Sequence, residues 1–273
     1  MNSAFSVLMS VYKKENPEYL QKSLKSIWDD QLLKPNDIVL IQDGELTTPL
    51  EDVIYYWKQK LGDILNIVVL PENMGLALAL NEGLKHCNYE YIARMDTDDI
   101  CTPNRFISQI EFLNKNRNID IVGTYISEID ENDEIVKSIV KLPLTHDELL
   151  HLFRWRNPMI HPSVMFRKTF FKKAGIYTNE LLLAEDYHLW YKGFLSGCEF
   201  ANIPEICLLF RRSSDFYKRR GGKKKLFGLL KFRLTKCNRD LKFGFTADIY
   251  AFFYFIIQSS PTFIRKLAYK KLR

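Results

Sequence analysis

The 273-residue sequence contains no C-x-x-C pair, and its five cysteines are odd in number. No zinc site is implied, and the thiols are expected to be free, as in a reducing cytosol. No run reaches the roughly 20 apolar residues that span a bilayer. The apolar run from Ala4 to Val11 has no Lys or Arg before it and no cleavage signal after it, so it reads as a first strand and not as a signal peptide. The next segment, SVYKKENPEYL, lacks glycine. A nucleotidyltransferase, which would want a Gly-rich phosphate loop near its first strand, is disfavoured. Repeats are absent, and no low-complexity linker appears before KRRGGKKK at 218–225.

What is present is a charge asymmetry. From Arg211 to Arg273 there are 18 Lys or Arg against three acids, Asp215, Asp240 and Asp248. Residues 1–210 hold 21 bases and 30 acids. An acidic body with a basic tail implies an anionic partner for the tail, either membrane phospholipid or nucleic acid. Hydrophobic content of 47% suffices for one large domain with an appendage, or two small ones.

Apolar runs and helical stripes alternate through the first half. FSVLMSVY (5–12) and DIVLIQDG (37–44) read as buried strands, as do ILNIVVLPE and YEYIARMD (89–96). Between them, Asn16–Pro17 and Thr48–Pro49 read as cap-then-proline helix starts, and MGLALALNEGLKHC (74–87) as a Gly-opened helix. The pattern predicts βαβ units and a mostly parallel α/β sheet, whose ligands bind beyond the C-terminal strand ends. Asp43 and the acids of MDTDD fall there. Further on, a helix is expected after Pro103 to about Asn116, then strands near 119–129 and 135–141. Thr145 with Glu148 reads as a capping box, PSVMFR (162–167) as a strand and AEDYHLWYKGFLSG (184–197) as a helix. The tail divides into a basic helix (Lys223–Arg239), an aromatic block (243–258) and PTFIRKLAYKKLR (261–273), the last resembling an in-plane interfacial helix beside anionic lipid. A boundary is expected at 217/218.

Asp96, Asp98 and Asp99 lie within four positions. Such carboxylates are either solvated loop or cap residues, or ligands for a hard cation such as Mg2+ or Mn2+ that also binds a diphosphate. Asp99, at a helix start, reads more as a supporting cap. The motifs SVLMSVYKKENPEYLQKSLKSI, LIQDG, PENMGLALALNEGL, ARMDTDD, HPSVMFRK and AEDYHLW, in that order across about residues 4–212, resemble a family 2 glycosyltransferase of the GT-A fold. The resemblance implies an inverting enzyme with a nucleotide-sugar donor, most often a UDP-sugar, and a divalent metal.

Carried onto this sequence, the resemblance puts Tyr12 and Glu15 beside the nucleobase and ribose. It puts Asp43 on the uracil ring, and Asn73, Gly75 and Leu76 around the nucleotide. It gives Asp96 to the ribose or donor sugar and Asp98 to the metal. Asp186 becomes the base, with Glu185 holding the acceptor or an active-site Arg. Bland readings stay open: a turn acid at Asp43, helix–strand packing at Gly75, acidic capping at Glu185–Asp186. Arg94 is either a donor contact or a structural partner for the acids. His161 is a structural residue or a metal or donor contact, and Trp190 an acceptor platform. Arg211 and Arg212 are phosphate contacts or the first charges of the tail. HLWYK replaces the Gln-x-x-Arg-Trp of some relatives, which argues for single transfers over processive synthesis. The implied reaction adds galactose, glucose or GlcNAc to a polyprenyl-diphosphate-linked saccharide in bacterial surface polysaccharide. A dTDP-rhamnose donor is the alternative. The enzyme would sit peripherally on the cytoplasmic face of the inner membrane. The nucleic-acid-binding reading is weaker, because the tail aromatics are blocked together and not interleaved with bases.

Overall fold

The computed structural model describes residues 4–181, 184–212, 223–261 and 265. β1 (Phe5–Val11), β2 (Asp37–Gln42), β3 (Leu65–Val69) and β4 (Tyr91–Arg94) alternate with α1 (Pro17–Trp28), α2 (Thr48–Leu61) and α3 (Leu76–His86). These strands pair in parallel in the order β3-β2-β1-β4. Strand order reverses beside β1, so a crevice forms at the C-terminal ends of β1 and β4. Alternate residues of each strand feed two cores. Val7 and Met9 of β1 and Ile38 and Leu40 of β2 face Leu24, Trp57 and Ile110. Leu8, Val39 and Ile41 face Leu80, Leu84 and the C-terminal helices. Burial on both faces is why β1 and β2 read as nearly unbroken apolar runs.

Asn16 caps α1, its side chain accepting from Glu18 N at 2.8 Å. The cap of α2 is Thr47 and not Thr48, and it makes no side-chain capping bond. Proline is tolerated anywhere in a helix's first turn, so Pro49 does not fix the cap to a single residue.

The second half of the sheet is mixed. It contains β5 (Ile100–Cys101), α4 (Arg105–Lys115), β6 (Ile121–Ile129), β7 (Ile135–Val140), α5 (His146–Phe153), β8 (Met165–Arg167), α6 (Lys168–Ala174), α7 (Glu185–Leu195) and β9 (Phe200–Arg211). β8 lies antiparallel between β4 and β6. β9 runs parallel to β6, while β5 pairs antiparallel to β9. The capping box of Thr145 and Glu148 opens α5 as expected. Residues 161–163 form a 3-10 turn, so the strand expected over 162–167 is confined to Met165–Arg167.

Of the expected tail, α8 (Lys223–Phe232), a π-helical turn (Arg233–Cys237), a short helical turn (Asn238–Asp240) and α9 (Phe245–Ser259) are described. Phe232, Cys237, Phe243 and Ala247 join the core that contains Phe153 and Tyr187. Arg233 donates to Trp155 O at 3.2 Å, and the Tyr191 hydroxyl donates to Asp240 at 2.5 Å. The interfacial helix expected over 261–273 and the boundary run KRRGGKKK fall largely outside the described residues.

Candidate active site

Asp43 directly follows β2 and is almost fully buried, at 3% exposure. Its carboxylate accepts from Met74 N at 2.7 Å, Gly75 N at 3.0 Å and Asn73 Nδ2 at 3.0 Å. It therefore shapes the loop that opens α3. Gly44 (φ +84°) lets this loop approach: a Cβ there would lie 2.6 Å from Asn73 N and 2.9 Å from Glu72 C. Gly75 caps α3 at φ +85°, and a Cβ on it would meet nothing within 4 Å. Its glycine follows from backbone conformation and not from helix–strand packing. Leu76 begins α3, partly buried against the core.

The loop after β1 joins the loop after β4. Glu15 accepts from Asn16 N at 2.8 Å and from the Thr97 hydroxyl at 2.7 Å. Tyr12 stands beside it, 37% exposed. The Ser23 hydroxyl donates to Asp96 O at 3.0 Å. Asp96, Asp98 and Asp99 each offer an oxygen, all within 4.8 Å of one another. Arg94 pairs with Asp96, while its Nε and Nη1 are buried without a hydrogen-bond partner. Asp99 is 1% exposed. One of its oxygens accepts from Arg211 N at 2.7 Å, and the other is buried and unpartnered. Burial, then the neighbouring Asp98 and Asp96 carboxylates, push the Asp99 carboxyl well above its ordinary range. An unpartnered buried oxygen inside a knot of repelling carboxylates is the donor set that a hard divalent cation fits.

The second acidic group opens α7. Asp186 is half-buried and accepts from Asn157 Nδ2 at 2.5 Å and from Tyr187 N at 2.7 Å. Burial and Asp186 together raise the Glu185 carboxyl. Tyr177 links the two groups: it feels Arg94, Asp186, Glu185 and Asp96 electrostatically. Asn81 clamps the Tyr177 backbone at both N–H and C=O, each at 2.9 Å.

The glycosyl transferase family 2 model matches residues 6–175. The chain belongs to that family. Across 98% of this chain and 99% of its own, the amylovoran biosynthesis glycosyltransferase AmsE of Erwinia amylovora is 35% identical. The UDP-Gal:alpha-D-GlcNAc-diphosphoundecaprenol beta-1,3-galactosyltransferase of Escherichia coli is 34% identical over 98% of this chain and 96% of its own. The structure of mannosyltransferase PcManGT from Pyrobaculum calidifontis, in complex with GDP-Man and Mn2+, superposes with a TM-score of 0.64 at 16% identity, covering 91% of this chain and 69% of that one. The fold is the α/β GT-A class expected from the motifs.

Four residues of this family 2 glycosyltransferase stand elsewhere than expected. Trp190 is no acceptor platform: it is fully buried, stacked on Phe166 at 5.9 Å and edge-on to Phe200 at 6.2 Å. Residues Tyr187 to Tyr191 are all buried, because α7 is covered by the sheet on one side and by the tail helices on the other. His161 lies outside the carboxylate cluster, its Nε2 2.8 Å from the Tyr177 hydroxyl, and burial followed by Arg94 holds it well below its ordinary pKa. Arg211 is spent on the acid loop. It donates to Asp98 O at 2.7 Å and Asp130 O at 2.8 Å, and it pairs with Asp133 at 2.6 Å. Arg212 pairs with buried Glu128 at 2.7 Å. Arg211 ends β9 and Arg212 follows it, each paired with an acid of the β6–β7 region.

Three contributors were not singled out from sequence: Thr97, Asn157 and Tyr177. Thr97 sits inside the quoted DTDD, and Asn157 opens the same NPMIHPSVMFR stretch that drew attention to His161. Tyr177, in AGIYTNE, carries no pattern that distinguishes it.

Proposed function

We propose that this family 2 glycosyltransferase transfers a hexose, with inversion, from a UDP-sugar to a polyprenyl-diphosphate-linked saccharide during bacterial surface polysaccharide synthesis. The observation that carries it is the cluster of Asp96, Asp98 and Asp99 just after β4, with a buried unpartnered oxygen on Asp99, in a chain whose second acidic pair, Glu185 and Asp186, opens α7. The E. coli relative, aligned over nearly the whole chain, supports a UDP-sugar donor and a lipid-diphosphate acceptor.

In this reading Asp98, with Asp96 and Asp99, holds a Mg2+ or Mn2+ ion, which when bound supplies Lewis-acid neutralisation of the charge on the departing diphosphate. Asp43 sets the Asn73–Gly75 loop against the nucleotide, and Tyr12 and Glu15 border the base and ribose. Arg94, with two unpartnered N–H-bearing nitrogens, orients Asp96 and the donor. Asp186 accepts the acceptor hydroxyl's proton as that oxygen bonds to the sugar C1 and the bond from C1 to the UDP oxygen breaks on the opposite face. Asn157 orients Asp186. Raised by its surroundings, Glu185 stays available to hold the acceptor. The basic, aromatic tail keeps the enzyme on an anionic membrane surface, peripherally on the cytoplasmic side. No described helix is long and apolar enough to cross a membrane.

The test is a panel of UDP- and dTDP-sugars with Mn2+ or Mg2+ and a polyprenyl-diphosphate-linked GlcNAc acceptor. Transfer is expected from a UDP-hexose. Transfer from dTDP-rhamnose alone would replace the donor assignment, and no transfer or hydrolysis with any donor would overturn the reading.

A further inference from the structure

Five of the large apolar side chains exposed in the described tail lie on α9. Phe245, Ile249, Phe252, Phe253 and Ile256 recur at helical spacing and are between 41% and 76% exposed. Its inner face is committed: Ala247 and Ala251 are buried, and Tyr250 packs edge-on against Trp155 at 5.3 Å. A row of large apolar side chains with water on it costs solubility unless something covers it.

Charge says what covers it. Lys231, Arg239 and Lys242 are exposed on the segment leading into α9, while Lys236 pairs with Glu180 at 3.7 Å. The two acids of that region are engaged internally, Asp240 by the Tyr191 hydroxyl at 2.5 Å and Asp248 by Asn238 Nδ2 at 2.7 Å. A cationic collar beside an apolar stripe matches an anionic phospholipid surface, not an acidic protein groove or a second copy carrying the same positive charge. At 15 residues α9 is about 23 Å long, short of the roughly 30 Å hydrocarbon core. It fits in the plane of the interface and not across it.

We infer that α9 is the membrane-contacting element, lying in the interface with Phe245, Ile249, Phe252, Phe253 and Ile256 in the acyl boundary and the flanking cations on anionic headgroups. The inference rests on the peripheral-membrane part of the proposed function and moves its contact from the 261–273 segment to α9. It also has a positional consequence. Trp155 touches α9, and two residues later Asn157 holds Asp186. The candidate base is therefore one short loop from the lipid-facing helix, where an acceptor on a lipid diphosphate would arrive.

The experiment uses the full chain and vesicles of phosphatidylcholine with or without phosphatidylglycerol, read by flotation. Wild type is expected to float with the phosphatidylglycerol vesicles. Phe252→Ser/Phe253→Ser is expected to lower the partition coefficient at least roughly tenfold. The control Tyr55→Ser/Tyr56→Ser, which removes exposed aromatics from α2, should leave it unchanged. If the double α9 variant does not fold, judged by its UDP-induced thermal shift, Ile256→Ser serves with a smaller loss. Undiminished binding of the α9 variants, with binding lost only on truncation after residue 260, overturns the inference and leaves the membrane reading intact. No binding by wild type overturns both. A wild-type dimer in sedimentation equilibrium that the α9 variant converts to monomer would assign the face to a second copy and overturn the inference.

Discussion

Among the acids of the two groups, Asp43 and Asp99 at the strand ends are held by backbone amides from distant segments, whereas Asp186 at the start of α7 takes a side chain from a distant loop and a backbone amide only from its own helix start. Asp43 takes the amides of Met74 and Gly75, and Asp99 takes the amide of Arg211. Asp186 instead leans on the Asn157 carboxamide, with one amide from its own helix start. Around it the contacts are ring on ring and hydroxyl on carboxylate, as at His161–Tyr177 and Tyr191–Asp240. Backbone donors move only if the fold moves. Side-chain donors can be exchanged by point substitution. The strand-end site is thus built as a fixed receptacle, and the α7 site as one whose specificity can be retuned without disturbing the sheet. This matches the chemistry proposed for each: a nucleotide diphosphate common to many enzymes on one side, a variable acceptor on the other.

The comparison breaks first at Asp186. Asp186→Asn is expected to lower kcat by roughly a thousandfold, the range of a lost general base, while UDP-sugar affinity by calorimetry stays as in wild type. Near-normal turnover would remove Asp186 from the mechanism. Next comes the opposite pattern: Asp98→Asn should weaken Mn2+-dependent UDP-sugar binding at least roughly tenfold, leaving thermal stability without metal unchanged or higher, since one of three repelling acids is gone. Equal metal affinity in the variant would show that Asp98 is not a ligand.

The same contrast explains what could be read from sequence. β1, β2 and β4 were legible because parallel strands buried on both faces are written as continuous apolar runs, and Asp43 and the DTDD acids are placed by where those runs end. β5, with two residues, is a strand only because β9, distant in sequence, pairs with it, and the strand read over PSVMFR shrinks to Met165–Arg167 because only those residues meet β4 and β6. Local pattern carries no trace of that. Trp190 and Arg211 show the limit for single residues. An indole one turn beyond a candidate catalytic base looks like a sugar platform, and an arginine after an apolar strand looks like a phosphate ligand. Only the three-dimensional packing turns the first into core and gives the second to the carbonyls of Asp98 and Asp130.

A third change sharpens the strand-end side alone. Gly44→Ala forces a positive φ on a residue with Cβ and drives that Cβ into the Asn73 backbone at 2.6 Å. A loss of about 2 kcal/mol in urea unfolding is expected, with weaker UDP binding because the Asn73–Gly75 loop is displaced. Stability equal to wild type would mean that this loop is less fixed than its backbone bonds imply.

The smallest effect separates the two sides by pH. His188 lies where α7 meets α8, its ring 5.1 Å from Phe232, and burial outweighs the pull of Glu180 to bring its pKa from 6.5 to about 4. His161 is lowered in the same direction, and it too lies on the α7 side of the crevice. A group with a depressed folded pKa takes up its proton in the unfolded chain first. Its contribution is therefore complete above pH 6.5 and drains away as pH falls towards 4. Acid should loosen the α7–α8 seam while the β1–β4 sheet holds, so amide exchange at mildly acidic pH is expected to rise in α7 and α8 before it rises in β1 and β2. His188→Gln should remove part of the acid-side fall in melting temperature, a difference on the order of 2 °C between variant and wild type. If β1 amides exchange together with those of α7 as pH falls, the two sides form one cooperative unit, and the tunable side is no softer than the fixed one.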